Sequence, residues 1–140
     1  MWFNTVIIWM LRSPLHWMVD TEMMLISYTG KKSGKQYTLP VNFVRNGNEL
    51  LTTSLKTRSW WRNLRGGRQV TLLLQGKEIN TISTAYEQEK DVVAGLQEII
   101  QRRPGYSQYL KIGVDQAGKP SQEDLHRAAA DRVIIRSQLS

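Results

Sequence analysis

The sequence predicts an α+β domain whose mainly antiparallel strands form a sheet able to curl into a barrel. Short segments of alternating apolar and polar residues are separated by hairpin turns, and helical periodicity follows them in the second half of the chain. Because strands and helices come in separate runs, a parallel βαβ fold is not expected. At 140 residues the chain suits a single domain, which we expect to span residues 1–140.

Residues 1–20 predict an N-terminal amphipathic helical segment. Phe3 and Met10 share a helical face, and Pro14 interrupts the run. The run is too short to span a membrane, and no cleavage signal follows it. Its tryptophans suit two arrangements: packing on the sheet or on a second subunit, which is favoured, and peripheral membrane contact through residues 1–19.

Six strands are predicted from runs of β-branched, aromatic and other apolar residues. They are Met23–Thr29, Tyr37–Arg45, Glu49–Ser54, Gln69–Gln75, Glu78–Tyr86 and Val133–Ile135. Asn46-Gly47-Asn48 and Gly76-Lys77 are typical of hairpin turns, because Asn and Gly accept a positive φ. Pro40 has no N–H to donate and therefore predicts an edge strand or a bulge in the second segment.

Two helices are predicted after the first five strands. From Glu87 to Arg103 the apolar residues recur at helical spacing, and Pro104-Gly105 ends the run. Ser121 is typical of a helix N-cap, and acidic residues follow it in the first turn. We expect the helix that begins there to continue through Ala130.

The charge balance favours an anionic partner. With 19 Lys+Arg against 12 Asp+Glu the formal net charge is +7, which suits a phosphorylated cofactor, nucleic acid or a membrane face. The absence of cysteine excludes disulfides and thiolate chemistry, and it fits either a reducing compartment such as the cytoplasm or a protein that does not need cysteine. With only two histidines no metal site is expected, and no G-x-S-x-G element presents a nucleophile. Any redox or transfer chemistry would therefore belong to a bound cofactor.

Two basic segments form the candidate site. The first, Thr29–Lys35, is called the basic turn; its backbone N–H groups and lysines suit a phosphate, although its glycine spacing is not that of a P-loop, and a solvated loop is the alternative. The second, Ser54–Gly67, places Trp60 and Trp61 among basic side chains, which suits a ring system with a charged tail or single-stranded nucleic acid. We expect one of these tryptophans in the core. If the intervening strands form a hairpin, both segments reach the same end of the sheet.

The order of these residues resembles the deazaflavin-dependent nitroreductase family. The resemblance covers about Leu25 to Val70 and is carried by Tyr28-Thr29-Gly30-Lys31-Lys32-Ser33-Gly34-Lys35, Thr38-Leu39-Pro40-Val41, Ser54-x-Lys56 and Trp60-Trp61-Arg62-Asn63-Leu64. It implies a split β-barrel with flanking helices, related in fold to pyridoxamine phosphate oxidases. It also implies the 8-hydroxy-5-deazaflavin coenzyme F-420, whose phospholactyl-oligoglutamate tail is strongly anionic.

The resemblance implies roles for individual residues. The residues that would hold the tail are Lys31, Lys32, Ser33, Gly34 and Lys35. Those that would reach the phosphate or the ring edge are Ser54 and Lys56, and those that would border the cofactor are Trp60, Asn63 and Leu64. The catalytic residues on the substrate side would be Tyr106 and Tyr109, and the proton would come from one of them or from solvent.

Two positions depart from the family pattern. Tyr37 stands where many members carry an arginine, and Thr57-Arg58 replaces a common Gly-Gly pair. Loss of one tail contact favours FMN as the alternative cofactor, unless Arg58 or Arg62 compensates.

The implied activity is hydride transfer from C5 of reduced F-420 to an electron-poor acceptor such as a quinone, nitro compound or enone. Positioning of donor and acceptor would be the main contribution of the protein.

The alternatives are an FMN-, haem- or lipid-binding barrel with little turnover and, from a different class, a nucleic-acid-binding module, which is not expected. The expected partners are the small-molecule acceptor and a second copy in a homodimer. The expected location is the cytoplasm, with membrane association left open.

Overall fold

The computed structural model describes residues 23–30 and 34–139, so the predicted N-terminal helical segment lies outside the described residues. In the part it describes, seven strands form one antiparallel sheet. The strands are β1 (Met23–Thr29), β2 (Gln36–Asn42), β3 (Val44–Asn46), β4 (Glu49–Leu55), β5 (Arg68–Leu74), β6 (Lys77–Tyr86) and β7 (Arg132–Gln138). The helices are a 3-10 helix (Trp60–Leu64), α1 (Glu89–Arg102), α2 (Tyr106–Tyr109) and α3 (Gln122–Asp131).

The sheet curls because its two end strands are consecutive in the chain. The strand order is β2-β1-β5-β6-β7-β4-β3, yet only Phe43 separates β2 from β3. The chain therefore passes from one end of the order to the other and curls the sheet into a barrel, as the sequence predicts. The prediction of a single strand at Tyr37–Arg45 was wrong, because the chain changes partners at Phe43, which is buried in the core. Pro40 lies on the end strand β2, as its missing N–H requires.

The interior of the barrel is one apolar core. Alternate residues of each strand point into it, so Met24, Ile26 and Tyr28 of β1 are buried together. Trp61 and Leu64 of the 3-10 helix, which are 2% and 0% exposed, close the same cluster. Full burial of an apolar side chain of this size contributes about 1.5–3 kcal/mol. The 3-10 helix is therefore anchored to the barrel by its inner face.

The three α-helices cover the opposite face of β3, β4 and β7. The predicted helix face is confirmed, since the buried residues of α1 are Val92, Val93, Gly95, Leu96, Ile99 and Ile100. The predicted N-cap is also confirmed: the Asp124 N–H donates to Ser121 Oγ at 3.3 Å. Within residues 23–30 and 34–139, no helix has the length and apolar character needed to cross a membrane.

A half-buried arginine ties α1 to the sheet. Arg136 of β7 donates to Glu49 at 2.5 Å and also pairs with Glu98 of α1. Asn46 at the hairpin turn donates to Glu98 at 3.0 Å. The hydrogen bond to Glu98, more than that to Glu49, raises the pKa of Arg136, so its charge is constant at all working pH values. This network fixes the helix layer on the barrel and lies outside the site described next.

A candidate cofactor groove beside the Trp-rich helix

The basic turn joins β1 to β2 through hydrogen bonds within the turn. The Gly30 N–H donates to the Lys35 carbonyl at 2.7 Å, and the Gly34 N–H donates to the Gly30 carbonyl at 3.0 Å. Gly34 has a φ of 67°, a left-handed conformation that glycine adopts without strain. The Gly34 N–H is therefore already hydrogen-bonded within the turn. Of the other predicted tail contacts of the turn, Lys35 is exposed, and Lys31, Lys32 and Ser33 lie outside the described residues.

The Trp-rich segment forms a 3-10 helix, which sequence reasoning missed by treating it as extended chain. In a 3-10 helix, residues three apart lie on the same face. Trp61 and Leu64 accordingly point into the barrel, whereas Trp60 and Asn63 line the outside. One tryptophan is therefore in the core, as predicted. The interleaved pairs Trp-x-x-Asn and Trp-x-x-Leu are the sequence signal that could have indicated this helix.

The basic turn and the 3-10 helix lie at the same end of the sheet, as predicted, and three hydrogen bonds hold Trp60 between them. The Tyr28 hydroxyl donates to the Trp60 carbonyl at 3.2 Å. Asn63 Nδ2 donates to the same carbonyl at 3.4 Å. The indole N–H of Trp60 donates to Ser54 Oγ at 3.1 Å. Trp60 is thus held at its backbone and at its ring.

A groove of about 680 Å³ runs between the β1–β2 hairpin and the 3-10 helix. Its lining residues are Tyr28, Gly30, Tyr37, Thr38, Leu39, Ser59, Trp60, Arg62, Asn63 and Arg65. This lining joins aromatic rings, an amide and two guanidinium groups, and the volume lies within the range of about 300–1,000 Å³ that is usual for cofactor sites. We call it the Trp60 groove.

The other cavities in the described part of the chain differ from this groove in their lining residues. A groove of about 590 Å³ lies on the outer side of β1, β5 and β6, where its lining includes Ser27, Thr71 and Asn80 but no lysine or arginine. Nowhere in the described ranges do three metal-ligating side chains come together. A groove beside Tyr106 and Tyr109 also has two arginines, Arg102 and Arg103. The Trp60 groove is the candidate site because it is lined by the Trp-rich helix and by Gly30 of the basic turn.

Two stacked tyrosines form the hairpin wall of the groove. The Tyr28 and Tyr37 rings lie 5.7 Å apart at an interplanar angle of 30°. Burial raises the pKa of the Tyr28 phenol, the hydrogen bond with Asn63 acts against that shift, and Tyr37 adds a smaller increase. Tyr28 therefore remains protonated at neutral pH, as its donation to the Trp60 carbonyl requires.

Two arginines that line the groove have their guanidinium groups over the same tryptophan ring, that of Trp61. The guanidinium carbon of Arg65 lies 5.0 Å from the Trp61 ring centroid, and that of Arg62 lies 5.8 Å from it. Both distances are within the range of cation–π attraction. Arg65 also makes a bidentate pair with Glu87, at 2.7 and 2.9 Å. Both guanidinium groups face solvent, and of the two Arg65 is the one paired with a carboxylate.

Several predicted cofactor contacts lie beneath or beside the groove. Ser54 is 5% exposed. Its hydroxyl accepts a hydrogen bond from the Trp60 indole and donates one to the Leu55 carbonyl at 3.2 Å. Leu64 is fully buried in the barrel core. The Lys56 N–H donates to the Asp131 carbonyl at 2.9 Å, which fixes the chain just after β4. Ser54 and Leu64 can therefore position Trp60, while Trp60 and Asn63 face the groove directly.

The predicted catalytic tyrosines lie on the other side of β4. Along β4, Leu50 and Ser54 face the barrel, whereas Leu51 and Thr53 face a small cavity beside Tyr106 and Tyr109. The two tyrosine rings meet edge to face at 6.1 Å and line a separate groove of about 460 Å³. The structure of one chain therefore does not bring them to the Trp60 groove. Their catalytic role stays a prediction from the resemblance.

Comparisons with known proteins give one family match and several solved structures of similar fold. A family model described as F-420H(2)-dependent quinone reductase matches residues 14–116. A comparison with curated proteins finds no match. Among solved structures, a protein described as a domain-swapped dimer is 17% identical, with 86% of this chain and 82% of that chain covered and a TM-score of 0.55.

Two further solved structures have similar folds. An F-420-H2 dependent reductase (FDR-A) is 18% identical, with 84% of this chain and 96% of that chain covered and a TM-score of 0.51. The FAD and heme binding protein from Mycobacterium smegmatis is 14% identical, with 92% and 67% covered and a TM-score of 0.53. At these identities the likeness concerns the fold alone, and it confirms the predicted split β-barrel.

Proposed function

Because the chain belongs to the F-420H(2)-dependent quinone reductase family, we propose that it reduces a quinone, or a similar electron-poor compound, at the Trp60 groove. Membership of the family makes the protein an oxidoreductase with coenzyme F-420 as its cofactor. The acceptor and the residues of the site are the proposed part. The observation that carries the proposal is the three-point attachment of Trp60 at the wall of a cation-bearing groove.

The residues of the groove fit the cofactor chemically. A deazaflavin joins a flat ring system to an anionic tail, and the groove offers Trp60 and Tyr37 as flat apolar surfaces and Arg62 as an exposed cation. Asn63 adds an amide group at the same wall. The volume of about 680 Å³ is sufficient for a ring system of this size.

The protein contributes position and rigidity. When bound, reduced F-420 supplies the hydride. Trp60 forms a fixed wall because its carbonyl accepts from Tyr28 and Asn63 while its indole donates to Ser54. Such fixed surfaces hold reacting atoms at near-attack distance, which accounts for much of the rate gain in hydride transfer. The mouth of the groove is open, since Tyr37 is 41% exposed, so we assign the accompanying proton to solvent.

We also propose that two chains associate. One similar fold is described as a domain-swapped dimer. Leu55 and Tyr109 expose 43% and 63% of their surface, and both lie near Arg132, which pairs with Leu55 and packs over the Tyr109 ring. Light scattering at micromolar protein concentration tests this: a mass of one chain would contradict it.

The activity is tested by anaerobic oxidation of reduced F-420 with menadione, a nitroaromatic compound and an activated enone as separate acceptors. Reduced FMN is tested as the alternative hydride donor. It is included because Tyr37 stands where the resemblance predicts an arginine that would contact the F-420 tail. The proposal expects saturable oxidation of reduced F-420, with menadione preferred. Oxidation of reduced FMN alone, or no rate above the protein-free reaction, would contradict it.

A further inference from the structure

Arg62 is an exposed cation of the groove, and no carboxylate among the described residues pairs with it. The pair between Arg65 and Glu87 has N–O distances of 2.7 and 2.9 Å, close to the ideal for a bidentate arginine–carboxylate contact. Across the ranges that the structure describes, Arg62 has no such pair. Of the two guanidinium groups that line the groove, Arg62 therefore provides its uncompensated positive charge.

The indole of Trp61 orients this charge before any ligand arrives. Trp61 is 2% exposed and packed in the barrel core, so its ring is a rigid support for the Arg62 guanidinium at 5.8 Å. A side chain held in this way loses less conformational freedom on binding an anion than a free lysine would. Arg62 also directly precedes Asn63 and lies two residues after Trp60, both of which line the same groove.

We propose that Arg62 binds the phosphate or carboxylate groups of the deazaflavin tail and so decides between the tailed cofactor and tail-less analogues. This inference rests on the proposed function, since it assumes that the ring system occupies the Trp60 groove. Tyr37, on the opposite wall, has a phenol, so the guanidinium groups that line the groove come from the 3-10 helix and the residue that follows it. Arg62 is thus a specificity-determining residue for an anionic cofactor.

The test compares two ligands and three variants by calorimetric titration, a readout independent of turnover. The ligands are F-420 and the 8-hydroxy-5-deazaflavin that lacks the phospholactyl-oligoglutamate tail. The variants are Arg62→Gln, Arg62→Lys and the matched control Arg58→Gln, which removes an exposed arginine four residues away that does not line the groove. Circular dichroism melting confirms that each variant folds.

Arg62→Gln is expected to weaken F-420 binding by about tenfold or more, equivalent to about 1.4 kcal/mol, and to leave binding of the tail-less compound unchanged. Arg62→Lys should lose part of this affinity, because lysine keeps the charge but not the planar fork. Raising the salt concentration should weaken F-420 binding less in Arg62→Gln than in the native protein. Arg58→Gln should bind both ligands normally.

Three results would overturn the inference. F-420 affinity in Arg62→Gln equal to that of Arg58→Gln would remove Arg62 from tail binding. An equal loss for both ligands would assign Arg62 to the ring instead of the tail. Failure of the native protein to bind F-420 would overturn the proposed site as well, whereas the first two results leave that site intact.

Discussion

The indole N–H of Trp60 donates a hydrogen bond of 3.1 Å to Ser54 Oγ, which joins the end of β4 to the 3-10 helix. Replacing Ser54 with alanine removes this acceptor and frees the ring. We expect Ser54→Ala to lower the free energy of unfolding by about 1 kcal/mol and to weaken F-420 binding by about threefold to tenfold, because an immobilised side chain must then be ordered on binding. Urea unfolding and calorimetric titration measure the two effects.

Ser83→Ala is the matched control for that substitution. Ser83 Oγ lies 2.6 Å from Ser137 Oγ, both serines are buried, and neither lines the Trp60 groove. The control should therefore lose similar stability without any loss of F-420 affinity. Equal affinities in the two variants would show that Ser54 does not position Trp60.

The Tyr28 hydroxyl gives a prediction that depends on pH. Below pH 10, Tyr28→Phe should lower the free energy of unfolding by about 1 kcal/mol, because the donor to the Trp60 carbonyl is lost. Burial raises the pKa of Tyr28 in the folded state above its ordinary value of 10.0, so the folded state holds the proton longer than the unfolded state does. The contribution of Tyr28 is therefore fully present below pH 10.0 and declines as the pH rises through the folded-state pKa.

Denaturant unfolding of both proteins across alkaline pH measures this difference. The stability gap between the native protein and Tyr28→Phe should narrow above about pH 10. Spectrophotometric titration should show a late-titrating phenol in the native protein that is missing in the variant. A gap that stays constant with pH would contradict the assignment of the raised pKa to Tyr28.

Gly95 of α1 leaves no room for a side chain. A Cβ built there would lie 2.6 Å from Ile134 Cγ1 and 2.9 Å from both Cδ1 and Cγ2. Overpacking of this kind costs about 1–3 kcal/mol, which exceeds the gain of about 1 kcal/mol in helix propensity. We therefore expect Gly95→Ala to lower the melting temperature despite its better helix propensity.

Two further variants separate overpacking from other causes. Ile134→Ala removes all three clashing atoms, so the double variant should lose less stability than the sum of the single changes. Gly105→Ala is the control, because no atom lies within 4 Å of a Cβ built there. Strict additivity of the two substitutions would contradict the close packing of α1 on β7.

The predicted catalytic tyrosines are tested by the double variant Tyr106→Phe with Tyr109→Phe. Both residues lie across β4 from the Trp60 groove, so F-420 affinity should stay within about twofold of the native value. With solvent as the proton source, kcat should also be unchanged. A fall in kcat of about 10²-fold with unchanged affinity would instead identify a tyrosine as the proton donor.

Local patterns in the sequence predict most elements of this fold. The bounds of β1 match the predicted strand Met23–Thr29, and the buried face of α1 follows its helical periodicity, because both depend on neighbouring residues. The break at Phe43 could not be predicted in this way, since it depends on which strands pair at the two ends of the sheet. Pro40 indicates an edge strand but does not indicate its partner.

The residue types of the candidate site could be predicted from the sequence, but the positions of these residues relative to one another could not. Trp60 and Asn63 line the groove, whereas Ser54 lies beneath it and accepts a hydrogen bond from the Trp60 indole. Their contact with the cofactor stays a prediction from the resemblance. The position of Tyr106 across β4 follows from strand alternation and from helix packing, which no local motif encodes. The sequence offers both Arg58 and Arg62 as compensating cations, and it is the folded structure that places Arg62, but not Arg58, in the lining of the groove.

The central claim, that F-420 binds in the Trp60 groove, is tested most directly by fluorescence titration of the native protein and Trp60→Phe with oxidised F-420. The chain has five tryptophans, and Trp60 lines the groove while Trp61 lies buried behind it. We predict saturable quenching with a dissociation constant well below about 1 mM, and a large loss of both quenching amplitude and affinity in Trp60→Phe. Binding weaker than about 1 mM, or equal quenching and affinity in the two proteins, would contradict the claim.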